Sequence, residues 1–224
     1  MTFSLVARCA RTGQFGVAAV TGVPAVGKLL THAAAGVGAV ATQARVNPYL
    51  GIDGLNLLRQ GLSAEAVRAA LLTTDPAVRF RQFAVIDQEG RTATFTGESC
   101  LDWRGALQRD GFSVQGNRLA GPHVLIRAAD RFEALSDQSL ADRLLEALAE
   151  GVAAGGDVKG EVSATIYVMD TEEYPLWDIR VDHHPEPIAE LRRLHDVFRE
   201  KVVPEIRDMP TRENPAGTEG EVPI

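Results

Sequence analysis

The sequence predicts a layered α+β domain in which two antiparallel sheets stack face to face with helices outside them. Strands come as hairpin pairs between the helical stretches, which excludes a simple βαβ repeat. The helical stretches themselves come in adjacent pairs. Of the 224 residues, 45% are hydrophobic, which supplies a substantial core without disulfide staples.

The elements follow in chain order. Thr2-Phe3-Ser4-Leu5-Val6-Ala7-Arg8 alternates with period two, Arg11-Thr12-Gly13-Gln14 turns, and Phe15-Gly16-Val17-Ala18-Ala19-Val20 returns as the second half of a hairpin. Residues 36 to 43 are small and apolar and read as a buried strand, with Gly36 and Gly38 placed where a side chain would hinder packing or a ligand. Helices follow at 51 to 60 and 64 to 72, the second N-capped by Ser63 and ended by Asp75-Pro76. Residues 81 to 87 and 91 to 95 make a second hairpin around Gly90, and 111 to 115 is a strand running into Gly116-Asn117. The period then becomes helical over 122 to 134 and 139 to 153, with Gly155-Gly156 closing the second helix. Strands at 161 to 169 and 176 to 181 and a helix at 187 to 203 complete the order. Residues 1 to 204 are read as one domain, and 205 to 224, with Pro210, Pro215 and Pro223, as an irregular acidic tail. That tail is expected to be pinned on the body or on a neighbouring chain, which makes a homodimer the expected assembly.

Composition narrows the partners. A formal charge of −7, with arginines scattered among acids, argues against nucleic acid. No run approaches the roughly 18 apolar residues of a membrane span, and no basic stretch leads into an apolar one at the N-terminus. Cys9 and Cys100 lie far apart with no metal-ligand spacing, which suits a reducing cytoplasm. A small-molecule substrate, no cofactor and no metal are expected.

The chemistry starts at Thr2. Removal of Met1 would leave a hydroxyl nucleophile and a free α-amine on one residue, and an α-amine titrates at roughly 7.7 to 8.0, so Thr2 would carry its own base. Donors for a developing oxyanion are sought at strand ends: Gln43 and Asn47 after the glycine-rich strand, and Gln115-Gly116-Asn117. The segment from Gly155 to Ser163 adds Asp157, Lys159 and Ser163, and Lys28 is a second candidate cation. Thr2, Asn47 and Asn117 are therefore the candidate catalytic residues. Gln43, Gln115, Gly116, Asp157 and Ser163 are the candidate substrate contacts. A rival reading takes Asp182-His183-His184, with Asp178 and Glu186, as a metal cluster for phosphoester hydrolysis. Adjacent strand residues point to opposite faces, which places those histidines poorly for sharing one ion. A non-catalytic binding or assembly role on the same scaffold is the other alternative.

Several segments carry a family resemblance: Thr2 to Arg8, Gly36-Val37-Gly38-Ala39-Val40-Ala41-Thr42-Gln43-Ala44, Asn47-Pro48, Phe95-Thr96-Gly97, Gln115-Gly116-Asn117, Ala154-Gly155-Gly156-Asp157 and Asp178-Ile179-Arg180-Val181-Asp182. In this order, over about residues 2 to 200, the chain resembles a bacterial family of unassigned role grouped with the N-terminal nucleophile hydrolases. The resemblance implies a four-layer αββα sandwich of proteasome-like architecture. It also implies attack on an amide carbonyl by an N-terminal Thr, Ser or Cys whose α-amine moves the proton. Only Thr2 stands at the matching position.

Overall fold

In a computed structural model, residues 2–218 are described. Met1, and with it the site of the proposed processing, lies outside the described residues, as do 219–224 at the end of the tail. The elements are β1 (Thr2–Arg8), β2 (Phe15–Thr21), β3 (Thr31–Ala34), β4 (Gly38–Ala44), α1 (Pro48–Arg59), α2 (Ala64–Thr74), β5 (Arg81–Asp87) and β6 (Thr92–Thr96). After them come β7 (Gly105–Arg109), β8 (Phe112–Asn117), α3 (Pro122–Ala134), α4 (Leu140–Ala153), β9 (Ser163–Met169), β10 (Pro175–Val181), α5 (Pro187–Val197) and α6 (Val203–Asp208).

All strand pairs are antiparallel, in a six-stranded sheet of order β10-β9-β2-β1-β8-β7 and a four-stranded sheet of order β3-β4-β5-β6. The alternation along each strand dictates which layer it feeds. In β1, Phe3, Leu5 and Ala7 join a core with Leu125, Phe132, Leu144 and Leu148 of α3 and α4. Val6, on the opposite face, joins Phe15, Val17, Ala39, Ala41, Ala84 and Ile86 between the sheets. A third core packs Val40, Phe83 and Val85 against Leu50, Leu58, Val67 and Leu71 of α1 and α2. Three apolar interfaces between four layers give the αββα sandwich that the sequence predicts. Gly38 lets two strands of the four-stranded sheet pair closely: at φ +148, a Cβ there would sit 2.3 Å from the Ile86 carbonyl oxygen of the neighbouring β5.

The departures from the predicted elements have local causes. β3 and β7 are both edge strands, short and lacking an apolar run, because an edge strand needs only one partner and half-faces solvent. α1 starts at Pro48 rather than at 51, since the Asn47 side chain accepts from the Tyr49 N–H at 3.1 Å and proline suits the first helical turn. The last helix passes through a π-helical turn at Phe198–Val202 into α6, so Pro204 lies within helix. Beyond α6, the described tail lies on its own chain. The Tyr174 hydroxyl donates to the Pro210 carbonyl at 2.9 Å, Arg212 pairs with Glu173, and the Thr218 N–H donates to the Asp208 carbonyl. Among the described residues no helix is long and apolar enough to cross a membrane.

Candidate active site

β1 is flanked by β2 and β8, and at its first residue Thr2 stands opposite Thr21 on one side and Asn117 on the other. The same alternation that sends Phe3 and Leu5 toward the helices sends Thr2 and Ser4 into the space between the sheets. This space is apolar around Val6 and polar at the Thr2 end. Thr2 is only 6% exposed, and its hydroxyl donates to the Thr21 hydroxyl at 3.1 Å.

Buried amides fill that polar end, and burial obliges them to find partners. The Ser4 hydroxyl donates to Gln43 Oε1 at 2.6 Å and accepts from Gln115 Nε2 at 2.7 Å, while Ser113 donates to Gln115 Oε1 at 3.0 Å. Gln43 Nε2 reaches Gln82 Oε1 at 2.8 Å and the Thr2 and Gln115 carbonyls at 3.3 Å each. Gln82 Nε2 reaches the Gly116 carbonyl at 2.8 Å, the Thr96 hydroxyl at 2.9 Å and the Gly105 carbonyl at 3.1 Å. Asn117 Nδ2 donates to Gln82 Oε1 at 2.9 Å. A primary amide has two N–H donors, so those of Gln43 and Gln82 are committed inside the protein, whereas Asn117 and Gln115 each keep one with no partner among the described residues.

Two cavities open beside Thr2. One, of about 310 Å³, lies toward β2 and is lined by Thr2 together with Val23, Ala25, Lys28, Leu30 and Gln43. The other, of about 440 Å³, lies toward β8 and is lined by Arg45, Phe80, Ser99, Cys100, Asn117 and Arg118 among others. Ala44 lines both. Three non-glycine residues among those described have left-handed backbone, Ala25 (φ 61), Ala44 (φ 69) and Arg118 (φ 56), and all three line these cavities. Such conformations cost of order 1–3 kcal/mol each and concentrate at ligand clamps.

The remaining predicted site residues fall into distinct places. Asp157 and Ser163 sit behind the β2-side cavity and hold its wall. Asp157 accepts from the Gly22 N–H at 3.2 Å, and the Ser163 hydroxyl donates to the Val23 carbonyl at 2.6 Å and accepts from the Val26 N–H at 3.2 Å. Gly116 serves packing on the helix-facing side, since a Cβ there would lie 2.5 Å from Leu119 Cδ1 and 2.9 Å from Phe3 Cβ. Gln115 lies within the amide network. Asn47 caps α1, and its Nδ2 donates to Asp75 at 2.7 Å. Lys28 is exposed at the β2-side cavity, and no carboxylate pairs with it among the described residues. Lys159 lies in the loop beyond Asp157, its N–H donating to that carboxylate at 2.9 Å. His183 is exposed, and His184 Nδ1 accepts from the Glu186 N–H at 3.0 Å just before α5. Among the described residues no three His, Cys, Asp or Glu side chains come together as a metal site. Gln82 and Thr21 are the central residues that sequence reasoning missed. Gln82 had a usable signal, as the polar residue in step with the inward-facing Ala84 and Ile86.

Asp75 anchors the loop that carries Arg45. It accepts from Arg81 Nε at 2.8 Å, the Ala77 N–H at 2.8 Å and Asn47, while Arg81 also donates to the Arg45 carbonyl. The Arg81 bond, with help from Asn47 and Ala77 and against the cost of burial, pulls the carboxyl from 3.8 to about 2. A pKa lower in the folded than in the unfolded state gives stabilisation that is full above the unfolded value and is lost as pH falls from about 4 toward 2. Asp75→Ala should therefore cost about 2 kcal/mol at pH 7 and flatten the acid limb in that window, as read by urea unfolding at pH 7, 4 and 3.

The family described as "Family of unknown function (DUF1028)" matches residues 2–191. A Silicibacter pomeroyi protein given the same family designation has a crystal structure that superposes with TM-score 0.90 at 30% identity, covering 98% of this chain and 96% of that one. The structure of Anbu, an ancestral β-subunit, from Yersinia bercovieri is similar at TM-score 0.42 and 11% identity, over 88% of this chain and 97% of that one. None of the curated proteins compared with the chain matches it.

Proposed function

The chain belongs to DUF1028, a family of unknown function, and from that premise we propose that it is an N-terminal nucleophile hydrolase cleaving a small amide or related C–N bond, with Thr2 as nucleophile once Met1 is removed. The observation that carries this reading is the placement of Thr2. It begins the central strand of an αββα sandwich with its hydroxyl oriented by Thr21 and its side chain on a cavity wall. An ordinary strand-starting threonine needs neither a cavity nor the strained backbone that surrounds this one.

In the proposed reaction the freed α-amine takes the proton from Thr2 Oγ1 as that oxygen adds to the substrate carbonyl carbon. The resulting ammonium returns the proton to the leaving nitrogen as the C–N bond breaks. Water then hydrolyses the ester on Thr2 and regenerates the hydroxyl. The uncommitted N–H of Asn117 is the side-chain donor best suited to the oxyanion. Gln43 and Gln115 act through position, fixing the Thr2 and Ser4 ends of β1, and Asp157 and Ser163 shape the β2-side wall.

Intact-mass measurement on untagged protein tests the reading at its first step. The expected mass is that of the chain beginning at Thr2; a chain that uniformly retains Met1 has no α-amine on its nucleophile, and the proposal fails.

A further inference from the structure

The two cavities beside Thr2 differ in chemistry. The β2-side cavity is walled mainly by Val23, Pro24, Val26, Leu29, Leu30 and Val46, with the exposed Lys28 as its one cation among the lining residues, and the rim residues Val23, Leu29 and Val46 expose 40–50% of their surface despite being apolar. The β8-side cavity carries two guanidinium groups, Arg45 and Arg118, with the Ser99 hydroxyl and the spare Asn117 N–H, and no acidic residue lines it.

The chain as a whole carries a net charge of −7. Most arginine side chains here face carboxylates: Arg81 pairs with Asp75, Arg104 with Asp102, and Arg109 with Asp130. Among the described residues neither Arg45 nor Arg118 has an ion-pair partner. Asp102, the acid nearest Leu101 in sequence, is already held by Arg104 at 2.6 Å. Both arginines are also held in place through their backbones. The Arg45 N–H donates to the Phe80 carbonyl, and its guanidinium lies 5.7 Å from the Phe80 ring centroid. Arg118 stands at φ 56, its N–H bound to the Leu101 carbonyl at 2.9 Å and its carbonyl accepting from Val158 at 3.3 Å. An arginine fixed in a left-handed conformation at a cavity wall with no internal partner is a site prepared for an external anion.

We propose that the substrate is an amide with two unlike arms: a carboxylate held by Arg45 and Arg118 on the β8 side of Thr2, and an apolar group in the β2-side cavity. This rests on Thr2 as nucleophile: Thr2 lines the β2-side cavity, its strand partner Asn117 lines the β8-side one, and Ala44 lines both. Guanidinium groups bind carboxylates through paired N–H···O bonds, and a planar anion suits them better than a neutral amide does. The carboxylate belongs either to the amine portion, as in an N-acylated amino acid, or to the acyl portion, as in the half-amide of a dicarboxylic acid.

The test uses N-hexanoylglycine and N-hexylsuccinamic acid against their uncharged primary-amide counterparts, with binding read by calorimetry and hydrolysis by amine release. In Met1-free wild type at least one acid should bind roughly tenfold or more tightly than its neutral counterpart, a ratio that falls with added salt. The acid that shows the ratio identifies which portion carries the carboxylate. The double variant Arg45→Gln/Arg118→Gln should bring the ratio close to one. Each ratio is measured within a single preparation, so a partial loss of folded protein cancels. Equal affinity for acid and neutral probes in wild type, a ratio that survives in the double variant, or no binding of any probe would overturn the carboxylate pocket. Discrimination that persists in Thr2→Ala without hydrolysis in wild type would leave the pocket standing and remove the Thr2 reaction. Hydrolysis indifferent to the carboxylate would do the reverse.

Discussion

Thr2→Ala in Met1-free protein should lower amide hydrolysis by at least about a thousandfold, because it deletes the attacking oxygen while leaving the α-amine, the cavities and the amide network in place. The fold should be unaffected. Thr2 contributes one hydroxyl bond to Thr21, worth roughly 1 kcal/mol, and its methyl group packs at the end rather than the middle of β1. Thr2→Ser should retain measurable turnover, since it keeps the oxygen and changes only its freedom to rotate. The comparison is made on a panel of amides and peptides with wild type and variants purified side by side. A contaminating hydrolase would act equally in all three preparations, so equal rates in wild type and Thr2→Ala would end the proposal.

The second large effect is on stability. Gln82→Leu should destabilise the protein by roughly 3 kcal/mol or more, seen as a lower urea midpoint at unchanged slope. Leucine fills similar volume but strands several groups at once. Gln43 and Asn117 lose the Oε1 they donate to, and the Gly105 and Gly116 carbonyls lose a donor. Buried polar groups left without partners account for the cost, which exceeds that of losing any single bond. Gln82→Glu makes the sharper test. It preserves the acceptor that Gln43 and Asn117 use but faces the two glycine carbonyls with oxygen in place of N–H. Protonation supplies a donor again, so this variant should be closer to wild type at pH 5 than at pH 8. A loss below about 1 kcal/mol in Gln82→Leu would mean that water or rearrangement satisfies the network.

Much of the site was legible in the sequence as residue types but not as roles. Gln43, Gln115 and Asn117 were identified because amides at strand ends are natural oxyanion donors, and the fold does gather them at the Thr2 end of β1. An amide reads the same whether its hydrogens face a substrate or another amide. Gln43 spends its donors on Gln82 and on the Thr2 and Gln115 carbonyls, and Asn47 spends one of its own on Asp75. Gln115 and Asn47 each keep a second N–H without a partner among the described residues, but neither lines one of the two cavities; Asn117 keeps one and lines the β8-side cavity. The arginines of the β8-side cavity carried no sequence signal, because Arg45 and Arg118 lie 73 positions apart in a chain with arginines scattered along its whole length.

What the sequence by itself determined is what short-range physics controls. Period-two alternation set the faces of β1, Ser63 capped α2, and hairpin pairs between paired helices required two antiparallel sheets. Those features depend on neighbours within a few residues, so a single chain reports them. The tertiary structure alone decided the edge strands β3 and β7, the partners of each buried amide, and the placing of a mainly apolar cavity at Thr2 and an arginine-bearing one at its strand partner Asn117. Each of these depends on which distant segment lies opposite. That choice is made by packing two sheets against one another, and side chains far apart in sequence acquire their chemistry only when that packing removes water from between them.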